Sequence, residues 1–203
     1  MQKDRPWLCY YVLHKPYNVL SQFSDEEGRK TLKDIVKLPR DVYPVGRLDM
    51  DSEGLLLLTN DKRLTDALLN PKNTHPREYY AFIEGIPTDA ELQCLRQGME
   101  IEGKPTLPAK ARLLKSAPVI AERVPPPRTY ATHAYSWLHL TITEGRNRQV
   151  RKMTAKIGHP TLRLIRWKIA NISLDGLAAG KYRELTEGEL ARLFRLLSLP
   201  KTV

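Results

Sequence analysis

The sequence predicts an α+β fold, a mixed sheet with helices packed on it. Three features predict it. Aromatic and β-branched segments alternate irregularly with capped helical segments, four successive leucines (Leu55 to Leu58) demand burial on both faces of one strand, and no internal repeat is present. In chain order, Trp7 to Leu13 (WLCYYVL) reads as a strand ended by Lys15-Pro16. TLKDIVKL from Thr31 reads as a short helix stopped by Pro39. YPVGRL and LLLLTN read as two strands joined by an acidic turn. Asp61 caps a helix, KRLTDALLN, that ends before Pro71, and REYYAFIEG is the next strand. TDAE at Thr88 is a capping box for a helix that stops at Gly98. TLPAKARLLK and SWLHLTITEG read as strands, and NRQVRKMTAKIGHP as a helix with Val150, Met153 and Ile157 on one stripe. TLRLIRWKIANISL reads as a strand, and TEGE at Thr186 opens a helix containing LARLFRLL. Ser116 to Ala134 holds three consecutive prolines and is expected to lack regular structure.

The chain has 203 residues, 41% of them hydrophobic, which is enough for a substantial core and argues against disorder. No apolar run approaches the ~20 residues that cross a bilayer, and the first residues lack the pattern of a secretory signal. Cys9 and Cys94 lie far apart with no CxxC, which fits a reducing cytoplasm and offers no metal framework. The net charge of +10 comes from short clusters of Lys and Arg between apolar segments, without a basic amphipathic helix. That distribution suits a groove that follows phosphates better than a membrane surface.

Against this basic background, Asp49, Asp51 and Glu53 crowd into VGRLDMDSEGLLLLTND. As a calcium loop the stretch has its glycine at the sixth position, Gly54, but Asn60 stands at the twelfth where a bidentate Glu is needed, and strands flank it. The five histidines are scattered and form no zinc pattern. A solvated turn is the plain alternative. Arg47 and Asp49, two apart, face the same side of an extended chain, and a carboxylate held beside a guanidinium stays ionised as a nucleophile requires. Ser52 and Glu53 are expected to tie down the turn. A second cluster, EGRNRQVRKM, carries Arg146, Arg148, Arg151 and Lys152 at a loop-to-helix junction, where free N–H groups already attract phosphate.

Taken together, GRLDMDSEGLLLLTND, REYYAFIEG and EGRNRQVRKMTAKIGHPTLRLIR resemble the pseudouridine synthases of the ribosomal small-subunit synthase A family, with motifs spanning Lys15 to Arg166. The resemblance implies a single catalytic domain over residues 1–203, in two halves around a cleft on a mainly antiparallel sheet. It also implies Asp49 as the catalytic aspartate, Tyr79 as the active-site tyrosine, Arg151 as the basic partner of the aspartate, and Arg47 as the arginine that everts the target nucleotide. The first catalytic strand begins near Trp7, where many relatives carry an S4-type RNA-binding domain, so no such domain is expected. NRQ in place of YHQ points to the large-subunit branch.

The implied reaction isomerises a uridine, most naturally in 23S rRNA, and needs neither cofactor nor metal. Asp49 either attacks C1′ or assists elimination at the sugar; Tyr79 stacks on the base and shuttles a proton at C5. Arg148, Lys152, Arg146, Arg163 and Arg166 are expected to contact phosphate and offset the few kcal/mol of flipping the base. Asp51 and Glu53 are expected to shape the turn. The expected partner is rRNA or a pre-ribosomal particle, met by a cytoplasmic monomer without membrane contact. Two rivals remain: an RNA-binding assembly factor without activity, and a metal-dependent nuclease using Asp49 and Asp51.

Overall fold

A computed structural model describes residues 7–200. The chain runs β1 (Tyr10–Lys15), a single 3-10 turn (Leu32–Asp34), β2 (Tyr43–Pro44), β3 (Glu53–Thr59), α1 (Lys62–Leu69), β4 (Arg77–Glu84) and α2 (Asp89–Gln97). There follow β5 (Glu100–Ile101), β6 (Lys104–Pro105), β7 (Lys110–Leu113), β8 (Tyr135–Ile142), α3 (Gln149–Lys156), β9 (Thr161–Ile169), β10 (Ile172–Ser173), β11 (Tyr182–Glu184) and α4 (Glu187–Leu196). Nine strands form one sheet in the order β11-β1-β3-β9-β4-β8-β7, with β2 beside β3 and β10 beside β9. Every pairing is antiparallel except β3 with β9.

The leucine run explains the middle of this order. Side chains alternate along a strand, so Leu55 and Leu57 pack with α1, α4 and β9, while Leu56 and Leu58 pack on the other face with Leu32, Val36 and Val42. A second core lies under α2 and α3, where Leu92, Leu95, Val150 and Met153 cover β4, β7 and β8. The two halves meet where β3 pairs with β9 over Glu53↔Ile165 and Gly54↔Arg166. Gly54 is required there: at φ +115° a Cβ would lie 2.3 Å from the Arg166 carbonyl oxygen. The capping boxes at Thr88 and Thr186 form as the sequence predicts, with Glu91 and Glu189 closing them.

Several expectations fail for identifiable reasons. TLKDIVKL makes only the 3-10 turn. YPVGRL pairs only at Tyr43–Pro44; beyond it Gly46 takes φ +72°, and both backbone groups of Leu48 bond to the Ser21 hydroxyl instead of a strand neighbour. TLPAKARLLK shrinks to β7; the Thr106 amide, just past the β5–β6 hairpin, donates to the Met99 carbonyl, and the residues between it and Lys110 form no strand. TLRLIRWKIANISL turns back at Ala170, in the left-handed region, so β10 pairs with the end of β9. The three residues of β11 have no strand signal of their own and form by pairing with β1. Ser116 to Ala134 is irregular, as its prolines require.

Candidate active site

A cleft of about 510 Å³ opens between the two halves of the sheet. Asp49 is the only carboxylate among its lining residues, surrounded there by Arg47, Arg77, Arg146, Arg148 and Arg166. The loop that carries Asp49 is fixed from several sides. Ser21 holds Leu48, the Asn18 amide donates to the Met50 carbonyl (2.9 Å), and the Ser52 amide closes a turn onto the Asp49 carbonyl (3.1 Å). Arg151 reaches in from α3, donating from Nη2 to the Asp51 carbonyl (2.8 Å) and from Nη1 to the Thr161 carbonyl (3.0 Å). Such bonding leaves Asp49, a third exposed, on a rigid support.

The arginine on Asp49 is not the expected one. Arg148 Nη1 lies 3.2 Å from Asp49 Oδ2, and the same guanidinium grips Asp51 bidentately at 3.1 and 2.9 Å. Arg151 contacts the Asp51 side chain at 3.4 Å and the Ser52 hydroxyl at 3.3 Å. The expected Arg151–Asp49 pair is therefore corrected to Arg148–Asp49, with Arg151 bracing the loop. Sequence spacing could not decide this, because Arg148 takes a left-handed conformation (φ 52°, ψ 29°) at the helix start, which aims its side chain at the acidic loop. Burial opposes ionisation of Asp51, but hydrogen bonds from Arg148 and the two arginine charges outweigh it and lower its pKa. Arg148 is raised in turn, chiefly by its bonds to Asp51.

Tyr79 sits on β4 facing the cleft, nearly buried, in register with Arg166 of β9. Its ring packs into the core under α3, and its hydroxyl makes no hydrogen bond among the described residues. Arg47 is exposed on the rim without a hydrogen bond or ion pair in the described chain. Arg166 is buried at the cleft floor, donating from Nε to the Leu55 carbonyl while its buried Nη2 has no partner.

Expected assignments change at Arg163, Glu53 and Arg146, while Lys152 keeps its place on the surface. Arg163 is withdrawn from the surface: it is 7% exposed and paired with Glu53, itself 3% exposed, through bonds of 2.8 and 2.9 Å. Glu53 is accordingly a buried strand residue and not a turn-former. Arg146 donates to the carbonyls of Ile101, Lys104 and Pro105, tying the β5–β6 hairpin to the start of α3. Lys152 lies on the surface against Glu102 at 2.7 Å.

Two residues that sequence reasoning passed over belong to the site's surroundings. Lys15 is fully buried, donating to the Val19 carbonyl (2.7 Å) beside the Asp49 loop, and burial lowers its pKa to about 8. Its signal was a lysine closing an apolar strand. His75, on the cleft wall, has two buried ring nitrogens without partners, and burial with the charge of Arg77 lowers its pKa to about 4. Nothing local in the sequence marks it. Among the described residues no group of three or more His, Cys, Asp or Glu is arranged to hold a metal ion. No described helix is long and apolar enough to cross a membrane.

The cleft is thus cationic, with a single carboxylate on a braced loop and a tyrosine among its lining residues. Residues 9–156 match the RNA pseudouridylate synthase family, and the chain belongs to it. It is a pseudouridine synthase, an isomerase of uridine in RNA. Among relatives, it is 48% identical over 175 residues to the ribosomal large subunit pseudouridine synthase E of Vibrio vulnificus (strain CMCP6), covering 86% of this chain and 74% of that one. It is 42% identical over 194 residues to the ribosomal large subunit pseudouridine synthase B of Bacillus subtilis (strain 168), covering 95% and 73%. A solved structure described as a pseudouridylate synthase superposes with a TM-score of 0.76 at 27% identity, covering 92% of this chain and 74% of that one.

Proposed function

We propose that this enzyme isomerises one uridine of large-subunit (23S) rRNA, with Asp49 as the carboxylate that acts at C1′. The observation that carries this is the solitary Asp49 carboxylate among five cleft arginines. The reaction breaks N1–C1′, forms C5–C1′, and moves one proton from C5 to N1, so nothing is gained or lost. Asp49 either attacks C1′ or assists elimination there, and both need it ionised. Arginines around it neutralise the nearby phosphates. A glycosidase would need a second carboxyl across the bond, and the cleft lining has none.

Tyr79 supplies a flat wall for the detached uracil, with its hydroxyl available to carry the C5 proton. Arg47, exposed and unpaired within the described chain, everts the nucleotide from the rim. Lys152 extends the phosphate-binding face, Arg148 is engaged by Asp51 and Asp49 instead of phosphate, and Arg166 adds positive charge from the floor. The enzyme acts as a cytoplasmic monomer of one catalytic domain, without metal, on rRNA or a pre-ribosomal particle. The large-subunit target rests on the names of the relatives, and the single domain on the continuous nine-stranded sheet.

Asp49→Asn tests the central assignment. The amide is nearly isosteric, so the fold and RNA binding persist while it cannot act as an anion. Single-turnover conversion of a 23S rRNA fragment is expected to fall below detection, with filter binding unchanged or tighter. Turnover within about tenfold of wild type, a loss of only ~1.4 kcal/mol of transition-state stabilisation, would refute the role.

A further inference from the structure

We propose that Asp51 is a positioning residue for catalysis, acting through Arg148: it occupies the Arg148 guanidinium so that this arginine steadies Asp49 without capturing it. The inference rests on Asp49 being the reacting carboxylate. An arginine beside a carboxylate tends toward the bidentate pairing that fills both oxygens. Here that pairing is made with Asp51, at 3.1 and 2.9 Å, and Asp49 receives a single contact of 3.2 Å on Oδ2. Oδ1 of Asp49 has no hydrogen bond among the described residues and is left for the substrate.

An ordinary surface ion pair would leave both partners loose and contribute little. This one is braced. Arg151 holds the Asp51 carbonyl at 2.8 Å and its carboxylate at 3.4 Å, while its other terminal nitrogen is tied to β9. At the opposite end, Arg148 adopts the left-handed conformation that non-glycine residues take at some cost, and that turn directs its side chain to the acidic loop. The triad therefore fixes three things at once: the loop through Arg151, the guanidinium through Asp51, and one oxygen of Asp49 through Arg148. Without Asp51, the Arg148 fork is free to rotate onto Asp49 and engage both oxygens. The nucleophile would then be pinned and masked by the arginine meant to orient it.

A double-variant cycle separates this from a loop-shaping role. Asp51→Asn cannot hold a guanidinium as a carboxylate does, and single-turnover conversion should fall by about tenfold to a hundredfold, the scale of a small misplacement of reacting groups. RNA affinity should stay within about threefold, and melting within ~4 °C, of wild type. Asp51→Glu, which keeps the charge, should recover part of the rate. Arg148→Ala alone should also slow conversion. In the Asp51→Asn/Arg148→Ala protein the rate should be no lower than in Arg148→Ala, because the harm of losing Asp51 passes through Arg148. Losses that multiply in the double variant, or an Asp51→Asn rate within about twofold of wild type, overturn the proposal. Failure of the wild-type protein to make pseudouridine, or full turnover in Asp49→Asn, would instead overturn the function on which it rests.

Discussion

Replacing Arg163 by methionine probes the link between the two halves of the sheet. Glu53 opens β3 one residue after Ser52, and its carboxylate accepts from Arg163 Nε and Nη2 at 2.8 and 2.9 Å, with almost no solvent access. Arg163 Nη2 also donates to the Ala121 carbonyl at 2.9 Å, fastening the proline-rich loop over the same strands. Methionine fills the stem's volume but leaves a buried carboxylate without its partner, which costs ~3–5 kcal/mol. For a chain of this size each kcal/mol lowers the melting temperature by about 2–4 °C, so a fall of ~6–20 °C is expected. Removing both charges with Glu53→Met/Arg163→Met should recover much of the loss, because apolar replacements of a buried pair are often neutral or better. Thermal melts followed by circular dichroism measure this, and filter binding across a salt series provides the control. Arg163 is buried, so the slope of log affinity against log salt should not change. A melt within about 2 °C of wild type, or a slope reduced by about one unit as for a lost phosphate contact, would refute the assignment of Arg163 to the core.

His75 predicts a pH dependence of stability. The unfolded chain takes up this proton near pH 6.5 but the folded chain only near 4, so protons favour unfolding as pH falls between those values. Its contribution is fully present above pH 6.5 and declines by up to ~3 kcal/mol toward pH 4; His14, also lowered by burial, acts in the same direction. His75→Leu should reduce the loss in urea denaturation at pH 5 and be no less stable at pH 7.5, since it removes two unpartnered nitrogens; an unaltered pH dependence would count against it. Gly54→Ala should destabilise by about 3 kcal/mol or more, because its Cβ meets the Arg166 backbone and forces the β3–β9 pairing open. Urea titration reads this directly, and a change below about 1 kcal/mol would mean the strands can move apart freely.

Local patterns carried much of the fold. Thr88 and Thr186 cap their helices because the glutamates that complete each box lie three residues away, within one turn. The four leucines specify an interior strand, since no other place buries both faces. Short pairings were blurred for the opposite reason: β2 and β10, two residues each, lay inside longer expected strands, and β11, three residues long, was missed because it exists through its partner.

The site divides along the same line. By itself the sequence determined that Asp49 stands on a turn before a buried strand, that a basic junction precedes α3, and that the ordered motifs belong to an RNA-modifying family. Those are properties of neighbours along the chain. Which arginine meets which acid was decided only by tertiary structure, because Asp51 and Arg148 are 97 positions apart and Glu53 and Arg163 are 110 apart. A stretch of cationic residues reads alike whether its side chains face phosphate, carbonyls or a buried carboxylate. The left-handed turn at Arg148 and the close β3–β9 approach at Gly54 sort them, sending Arg148 to the acidic loop and Arg163 into the core, while Arg47 stays free at the rim.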